Sequence, residues 1–202
     1  MIDANRDPKD VSIYPGQNTT GLIPRTDFDG RPIWRDGQSP DEAETARRLD
    51  LYHAPYHRAL AAEIARVKAQ HGVAILFDCH SIRSNIPFLF AGKLPDLNVG
   101  TVDGVSCAAE IEAAAVELAA GAAGYTSVLN GRFKGGWTTR HHANPSHGIH
   151  TIQLELAQDT HLTKEEPPFD LDPVKAEQLR KHLAQILKRI EHLAPSLAKV
   201  AS

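Results

Sequence analysis

The sequence predicts an α/β domain in which a mostly parallel or mixed sheet is flanked by helices. Helical patterns alternate with short apolar runs along the chain, and this alternation is typical of the class. One run, residues 73–77, is nearly continuously apolar, as expected for a strand buried on both faces of a parallel sheet. A length of 202 residues provides for one substantial core, so we assign residues 1–202 to a single domain.

The first predicted helix begins at Ser39 and ends at Gly72. Ser39 and Glu42 have the spacing of a capping box, and Pro40 suits the first helical position. Because proline has no backbone N–H, we expect Pro55 to kink or split the helix. Apolar and aromatic residues recur in steps of three and four on one face, at Leu49, Tyr52, Tyr56, Leu60, Ile64 and Val67.

Four further elements follow the strand at 73–77. We predict a helix over 107–120, strands over 125–129 and about 149–156, and a last helix capped by Asp172 and Pro173. The apolar stripe of that helix consists of Leu179, Leu183, Ile186, Leu187, Ile190 and Leu193.

Two long connections, 80–101 and 130–148, come directly after predicted strands. In open α/β sheets, ligands bind beyond the carboxyl ends of the strands, and long connections in compact domains are usually functional. We therefore expect the chemistry of the protein to lie in these two segments.

Composition and charge exclude several classes of protein. The net charge of −3 gives no overall field for nucleic acid or an anionic membrane. The sequence has no apolar run near the roughly 18 residues of a spanning helix and no signal-peptide pattern. Two cysteines, Cys79 and Cys107, make no disulfide framework and suit a reducing cytoplasm. We expect a cytoplasmic protein that binds neither nucleic acid nor membrane.

His80 and Glu155 are the strongest candidates for catalytic chemistry. A histidine where the first strand ends has a fixed orientation and suits a metal ligand or an acid/base; the alternative is a histidine hydrogen-bonded at a strand end. Glu155 lies between two leucines of an apolar strand, where burial raises the pKa of a carboxyl and suits it to act as a general base on water. Alternatively, Glu155 pairs with an arginine. Asp78 is either a partner of the histidine or a strand-end carboxylate satisfied by backbone.

Segment 130–142 is basic within an acidic chain, since it contains three basic residues and no acidic one. This inversion of charge indicates a site for an anionic ligand, and arginine binds carboxylates through two parallel hydrogen bonds. The alternative is a solvated basic loop. The glycines of the segment do not form a phosphate-binding motif, and the chain has no G-x-S-x-G nucleophile elbow.

Six short motifs in this order resemble those of the N-formylglutamate amidohydrolase (deformylase) family. They are Asp3-x-Asn5-Arg6 and the segments 14–21, 78–84, 94–101, 130–136 and 153–156. The resemblance implies a zinc-dependent exopeptidase-like fold of the phosphorylase/hydrolase-like type. It also implies that a small molecule, N-formyl-L-glutamate, is hydrolysed to formate and L-glutamate, the last step of one route of histidine catabolism.

The same resemblance implies roles for individual residues. His80 would be a ligand of a divalent metal, typically Zn²⁺, which lowers the pKa of its bound water. Glu155 would be the general acid/base, and Arg6 would stabilise the negative charge that develops on the carbonyl oxygen. The residues implied in substrate binding are Asn5, Arg83, Asn98, Thr101 and Arg140.

The implied set of metal ligands is incomplete. The family pattern includes a Pro-His-x-Gly-like segment and a further acidic residue ahead of the position of Met1, and only His80 is assigned in this sequence. We therefore expect an N-terminally truncated chain that binds zinc poorly and turns over formylglutamate slowly. Two alternatives stay open: an inactive remnant that binds dicarboxylates, and an amidase for another N-acyl amino acid. The sequence does not indicate an oligomeric state.

Overall fold

The computed structural model describes residues 1–12, 14 and 17–198. Pro15 and Gly16, which belong to the second of the six motifs, lie outside the described residues. In the described part, a four-stranded mixed sheet is flanked by helices, which confirms the predicted α/β class.

The sheet contains both parallel and antiparallel strand pairs. The order across the sheet is β1-β4-β2-β3, in which β1 and β4 are parallel, β4 and β2 antiparallel, and β2 and β3 parallel. The strands are β1 (Ala74–Ile82), β2 (Leu97–Gly100), β3 (Ser127–Leu129) and β4 (Ile149–Ala157). Two of the three strand pairs are parallel, so the sheet is mixed and agrees with the prediction.

Five α-helices surround this sheet in the described part of the chain. They are α1 (Glu42–Arg48), α2 (Ala54–His71), α3 (Ala109–Ala120), α4 (Trp137–His142) and α5 (Pro173–Leu197). Short 3₁₀ segments cover Pro145–His147 and Gln158–Thr160. None of the described helices is both long enough and apolar enough to cross a bilayer.

The first helix begins later than the sequence predicts. Asp41 caps α1, because its carboxylate accepts a hydrogen bond from the Glu44 backbone N–H at 2.8 Å. The predicted capping box at Ser39 is wrong, since the Ser39 hydroxyl accepts a hydrogen bond from Arg25 instead. The predicted end is confirmed, because Gly72 closes α2 in the left-handed conformation, with φ of 73°.

A π-helical turn, Leu49–His53, separates α1 from α2, so the predicted split near Pro55 is confirmed. The Ala54 N–H donates to the Leu49 carbonyl, five residues back, which is the π-helical pattern. Pro55 has no N–H to continue the regular ladder, and it occupies the first turn of α2, where none is needed.

The prediction for β1 is wrong in its length and in its burial. The strand continues to Ile82, so Asp78 and His80 lie within it rather than after it. It forms an edge of the sheet and most of its side chains are only half-buried, so it is not enclosed on both faces. The prediction also missed β2 and α4, because four and six residues are too few for a clear periodic pattern.

The two faces of the sheet differ sharply in polarity. On one face, Leu97, Val99, Ile152 and Leu154 pack in a core with α3 and α5. Since successive side chains of a strand point to opposite faces, the residues between them face the other way. The second face therefore carries polar side chains, and α4 packs against it over β4.

The last helix agrees with its predicted cap and with most of its predicted stripe. The Asp172 carboxylate accepts hydrogen bonds from the first-turn N–H groups of Val174 and Lys175. Leu179, Ile186 and Ile190 are buried in the core. Leu187 is 46% exposed, so including it in the stripe was wrong.

Candidate active site

The pairing of β1 with β4 brings four polar side chains together on one face. Asp78 pairs with Gln153, and His80 pairs with Glu155. Paired residues of neighbouring strands point to the same side, as do residues two apart on one strand. The four side chains therefore form a two-by-two block on the polar face.

A cavity of about 220 Å³, which we call the main cavity of the site, opens over this block. Its lining includes Asn5, Arg6, His80, Arg132, Gln153 and Glu155. His80 and Glu155 thus line one cavity, together with two guanidinium groups.

Glu155 is the most strongly perturbed acid of the cavity. Its side chain is buried, and burial raises its pKa to about 7, an effect that His80 and Arg6 oppose and the Asp78 carboxylate reinforces. The side-chain oxygen of Gln153, Oε1, accepts a hydrogen bond from the Gly136 N–H at 2.8 Å, and its side-chain nitrogen, Nε2, lies 3.5 Å from the Glu155 carboxylate. Such a carboxyl can accept and return a proton near neutral pH.

His80 has two competing partners at its Nε2 atom. Asp78 Oδ1 lies 3.0 Å away and Asn5 Nδ2 lies 3.1 Å away. A protonated Nε2 donates to the carboxylate, whereas a deprotonated Nε2 accepts from the amide, so only one of these bonds forms at a time. The hydrogen bond to Asp78 raises the pKa of His80, and burial opposes this. Asp78 is therefore a partner of the histidine, and the alternative of a backbone-satisfied carboxylate is wrong.

Asn5 is fixed between α4 and the cavity. Its side-chain oxygen accepts a hydrogen bond from the Thr138 N–H at 2.8 Å. A Cβ atom at position 136 would overlap with that oxygen, so only glycine allows this approach.

Arg6 faces the main cavity and also a smaller adjoining one of about 30 Å³. Its Nη2 donates to the Thr20 hydroxyl at 2.6 Å, and its Nε lies 3.4 Å from Asp3 Oδ2. Arg140 lines the smaller cavity beside Arg6. Burial lowers the pKa of Arg140, and its Nε has no hydrogen-bond partner in the described part of the chain.

Arg83 lies outside both cavities. It forms an ion pair with Asp29 at 2.7 Å and packs over the ring of Phe28. The second arginine of the main cavity, besides Arg6, is Arg132, which lies in the basic segment and in the motif 130–136 but received no individual role from the sequence. Arg132 donates to two backbone carbonyls and packs 4.7 Å from the ring of Tyr14.

Asn98 and Thr101 also line neither cavity. The Asn98 amide donates to the carbonyls of Pro95, at 2.6 Å, and Glu155, at 3.1 Å, so it supports the strand that carries Glu155. The Thr101 hydroxyl donates to the Glu112 carboxylate. Asn98 lies within the short strand β2 and Thr101 follows its last residue, and the sequence did not reveal this strand.

A buried histidine pair lies behind Asn5 and Arg6. His57 Nδ1 is 3.0 Å from His142 Nε2, and the pKa of both histidines is lowered, first by burial. For His142 the pKa falls to about 4.

The described residues contain no group of three or more His, Cys, Asp or Glu side chains that could hold a metal ion. At the cavity, His80 supplies one imidazole, but its Nε2 is already engaged with Asp78 or Asn5.

Comparison with known proteins identifies relatives over most of the chain. A model of the N-formylglutamate amidohydrolase family matches residues 1–162. The N-formylglutamate deformylase of Pseudomonas aeruginosa is 46% identical over 190 residues, which is 94% of this chain and 71% of the relative. The N-formylglutamate deformylase of Pseudomonas putida is 48% identical over 167 residues, which is 83% of this chain and 62% of the relative.

Two solved structures share the fold. The crystal structure of N-formylglutamate amidohydrolase from Ralstonia eutropha JMP134 aligns with a TM-score of 0.74 at 23% identity, covering 95% of this chain and 72% of that one. A gene product of Agrobacterium tumefaciens aligns with a TM-score of 0.61 at 18% identity, covering 95% of this chain and 67% of that one. At these identities the likeness concerns the fold alone.

The buried histidine pair predicts a loss of stability in acid. The folded-state pKa of His142 is about 4 and its ordinary value is 6.5, so the unfolded chain takes up a proton first as the pH falls. The stabilising contribution is complete above pH 6.5 and is lost between there and pH 4. We expect this residue to lower the free energy of unfolding by about 2 kcal/mol between pH 7.5 and pH 5.

The measurement is urea unfolding of the wild type and of His142→Gln at pH 7.5 and pH 5. The substitution should flatten the dependence on pH, whereas the exposed control His192→Gln should leave it unchanged. If the free energy of unfolding changes equally with pH in the wild type and in His142→Gln, the lowered pKa of His142 is contradicted.

Proposed function

Because the chain belongs to the N-formylglutamate amidohydrolase family, we propose that it hydrolyses N-formyl-L-glutamate to formate and L-glutamate. The observation that carries this proposal is the shared cavity of Glu155 and His80, which two arginines also line. In this cavity the Glu155 carboxyl has a pKa near neutrality, which suits proton transfer, and the guanidinium groups can bind the carboxylates of a dicarboxylate.

Glu155 acts as the general base and then as the general acid. Its carboxylate takes a proton from the water molecule whose oxygen attacks the formyl carbon. The proton then passes to the amide nitrogen and the C–N bond breaks, which yields formic acid and the free amine of L-glutamate. The formic acid gives its proton to that amine, and formate and L-glutamate are released. A pKa of about 7 supports both transfers, because such a group is neither too weak a base nor too weak an acid at neutral pH.

Arg6 stabilises the transition state electrostatically. Negative charge develops on the formyl oxygen as water attacks, and a fixed guanidinium in a partly buried cavity lowers the energy of that charge. The hydrogen bond from Arg6 to Thr20 supports this role because it restrains the side chain before substrate binds.

The two carboxylates of the substrate bind to separate arginines. Arg132 lines the main cavity, Arg140 lines the smaller one, and Arg6 borders both. This arrangement favours a substrate that carries two anionic groups near the reacting amide over a substrate that carries one.

The metal implied by the family resemblance does not fit the described residues. Catalytic zinc is typically held by three protein ligands, and no group of three candidate donors occurs in the part of the chain described here. The zinc exopeptidase-like assignment of the fold and the role of His80 as a metal ligand remain proposals.

Replacement of the general base tests the proposed mechanism. In Glu155→Gln the side chain keeps its shape and loses its proton transfer, so we expect kcat for N-formyl-L-glutamate to fall about 10²–10⁴-fold. Formate release by the purified chain is the measurement. Glu166→Gln, at an exposed ion pair, is the control and should retain wild-type kcat. Retention of kcat in Glu155→Gln would rule out this role.

Substitution of the arginines tests the substrate class. Arg132→Gln and Arg140→Gln should each raise KM for N-formyl-L-glutamate about 10–100-fold, since each removes charge-assisted hydrogen bonds to a carboxylate. N-formyl-L-glutamine has the same shape without the side-chain charge, so one of the two variants should lose the preference for glutamate. Arg66→Gln, at a surface ion pair, is the control. An unchanged KM in both variants, or equal use of N-acetyl amino acids, would favour another substrate.

Metal analysis tests the donor set. We expect the purified chain to retain well under one equivalent of zinc after equilibrium dialysis, because the described residues contain no group of three His, Cys, Asp or Glu side chains that could hold a metal ion. His80→Ala serves as the comparison and should reduce whatever binding occurs there. Retention of one full equivalent of zinc would contradict this expectation, because it would show that the chain provides a complete set of zinc ligands.

A further inference from the structure

Residues 4–6 carry Asn5 and Arg6 to the cavity without belonging to a helix or a strand. Such a segment has no regular hydrogen-bond ladder, so its three carbonyl groups need partners from elsewhere in the fold. The source of those partners decides how rigidly the two side chains are held.

Each of the three consecutive carbonyl oxygens has its own partner. The Ala4 oxygen lies 2.8 Å from His57 Nε2, and the Arg6 oxygen lies 2.9 Å from His53 Nε2. The Asn5 oxygen accepts from the Trp137 N–H at the start of α4, at 3.2 Å. Two histidine side chains thus hold the residues on either side of Asn5.

These contacts determine the tautomers of the histidines. A carbonyl oxygen only accepts, so Nε2 of His53 and of His57 must carry a hydrogen. In its neutral form His57 then accepts at Nδ1, and the donor is His142 Nε2 at 3.0 Å. The chain of hydrogen bonds runs from α4 through α2 to the backbone of Ala4.

The two histidines are buried outside the main cavity. His53 is 4% exposed and His57 is 7% exposed, and neither lines the cavity over β1 and β4. They lie four residues apart, at the π-helical turn and in the first turns of α2, with ring centroids 4.5 Å apart. Both imidazoles therefore lie on one side of the helix and form hydrogen bonds with the segment 4–6.

We propose that His53 and His57 are positioning residues for the hydrolysis proposed above: they hold the backbone of residues 4–6 so that Asn5 stays beside His80 and Arg6 stays in the cavity. This inference rests on the proposed function for its catalytic consequence. Displacement of a catalytic group by about 1 Å can cost on the order of 10²-fold in rate, so the loss of either hydrogen bond has a measurable effect.

Paired substitutions separate the hydrogen bond from simple packing. His53→Leu and His57→Leu fill most of the space and remove the donor, whereas His53→Gln and His57→Gln keep an N–H at the position of Nε2. We expect the leucine variants to lower kcat for N-formyl-L-glutamate about 10–100-fold with little change in KM, because Arg132 and Arg140 still bind the carboxylates. The glutamine variants should recover most of the lost kcat.

Hydrogen–deuterium exchange gives a readout that does not depend on activity. In the leucine variants the peptide covering residues 1–12 should exchange faster than in the wild type, whereas a peptide within β4 should not change. The glutamine variants should restore slow exchange in residues 1–12. If His57→Leu does not fold, His53→Leu carries the test, because His57 alone of the two also bonds to His142.

The outcomes distinguish this inference from the proposed function. If residues 1–12 exchange as slowly in a folded leucine variant as in the wild type, or if kcat is equal in the leucine and glutamine variants, the inference is overturned. If the wild type releases no formate from N-formyl-L-glutamate, the proposed function fails, and the exchange experiment still decides whether the histidines hold the segment.

Discussion

The site depends on the register between β1 and β4. In that register His80 lies beside Glu155 and Asp78 lies beside Gln153. A shift of one residue in either strand would turn its polar side chains into the apolar core and its core residues toward the cavity. Burial of Ile152 and Leu154 under α3 and α5 therefore fixes the register, and the same packing directs Glu155 to the opposite face. The alternation of side chains along β4 therefore determines both the core on one face and the site on the other.

The rest of the site comes from segments that have little regular structure. Asn5 and Arg6 reach the cavity through hydrogen bonds from α2, the π-helical turn and α4. Arg132 reaches it through bonds to the carbonyls of Leu89 and Asn18. Long-range contacts of this kind make the geometry depend on the whole fold, whereas the register of one strand pair determines the positions of His80 and Glu155.

The sequence predicted those parts of the molecule that repeat a local pattern. The capped stripe of α5 and the apolar strand β4 were both predicted, and the position of a carboxylate between two leucines marked Glu155. Asp78 and His80 fell within β1 because its polar second half breaks the apolar run without ending the strand. The direction of an arginine side chain in a loop follows from tertiary contacts, so Arg83 was assigned to the site while Arg132 was not.

Carbon-13 NMR of the glutamate side-chain carboxyls tests the central claim most directly. The account predicts one carboxyl signal that titrates with a midpoint of about 7, vanishes in Glu155→Gln and shifts when N-formyl-L-glutamate is added. Titration of every glutamate near the ordinary value of 4.5, with no response to N-formyl-L-glutamate, would contradict a buried Glu155 at a substrate cavity.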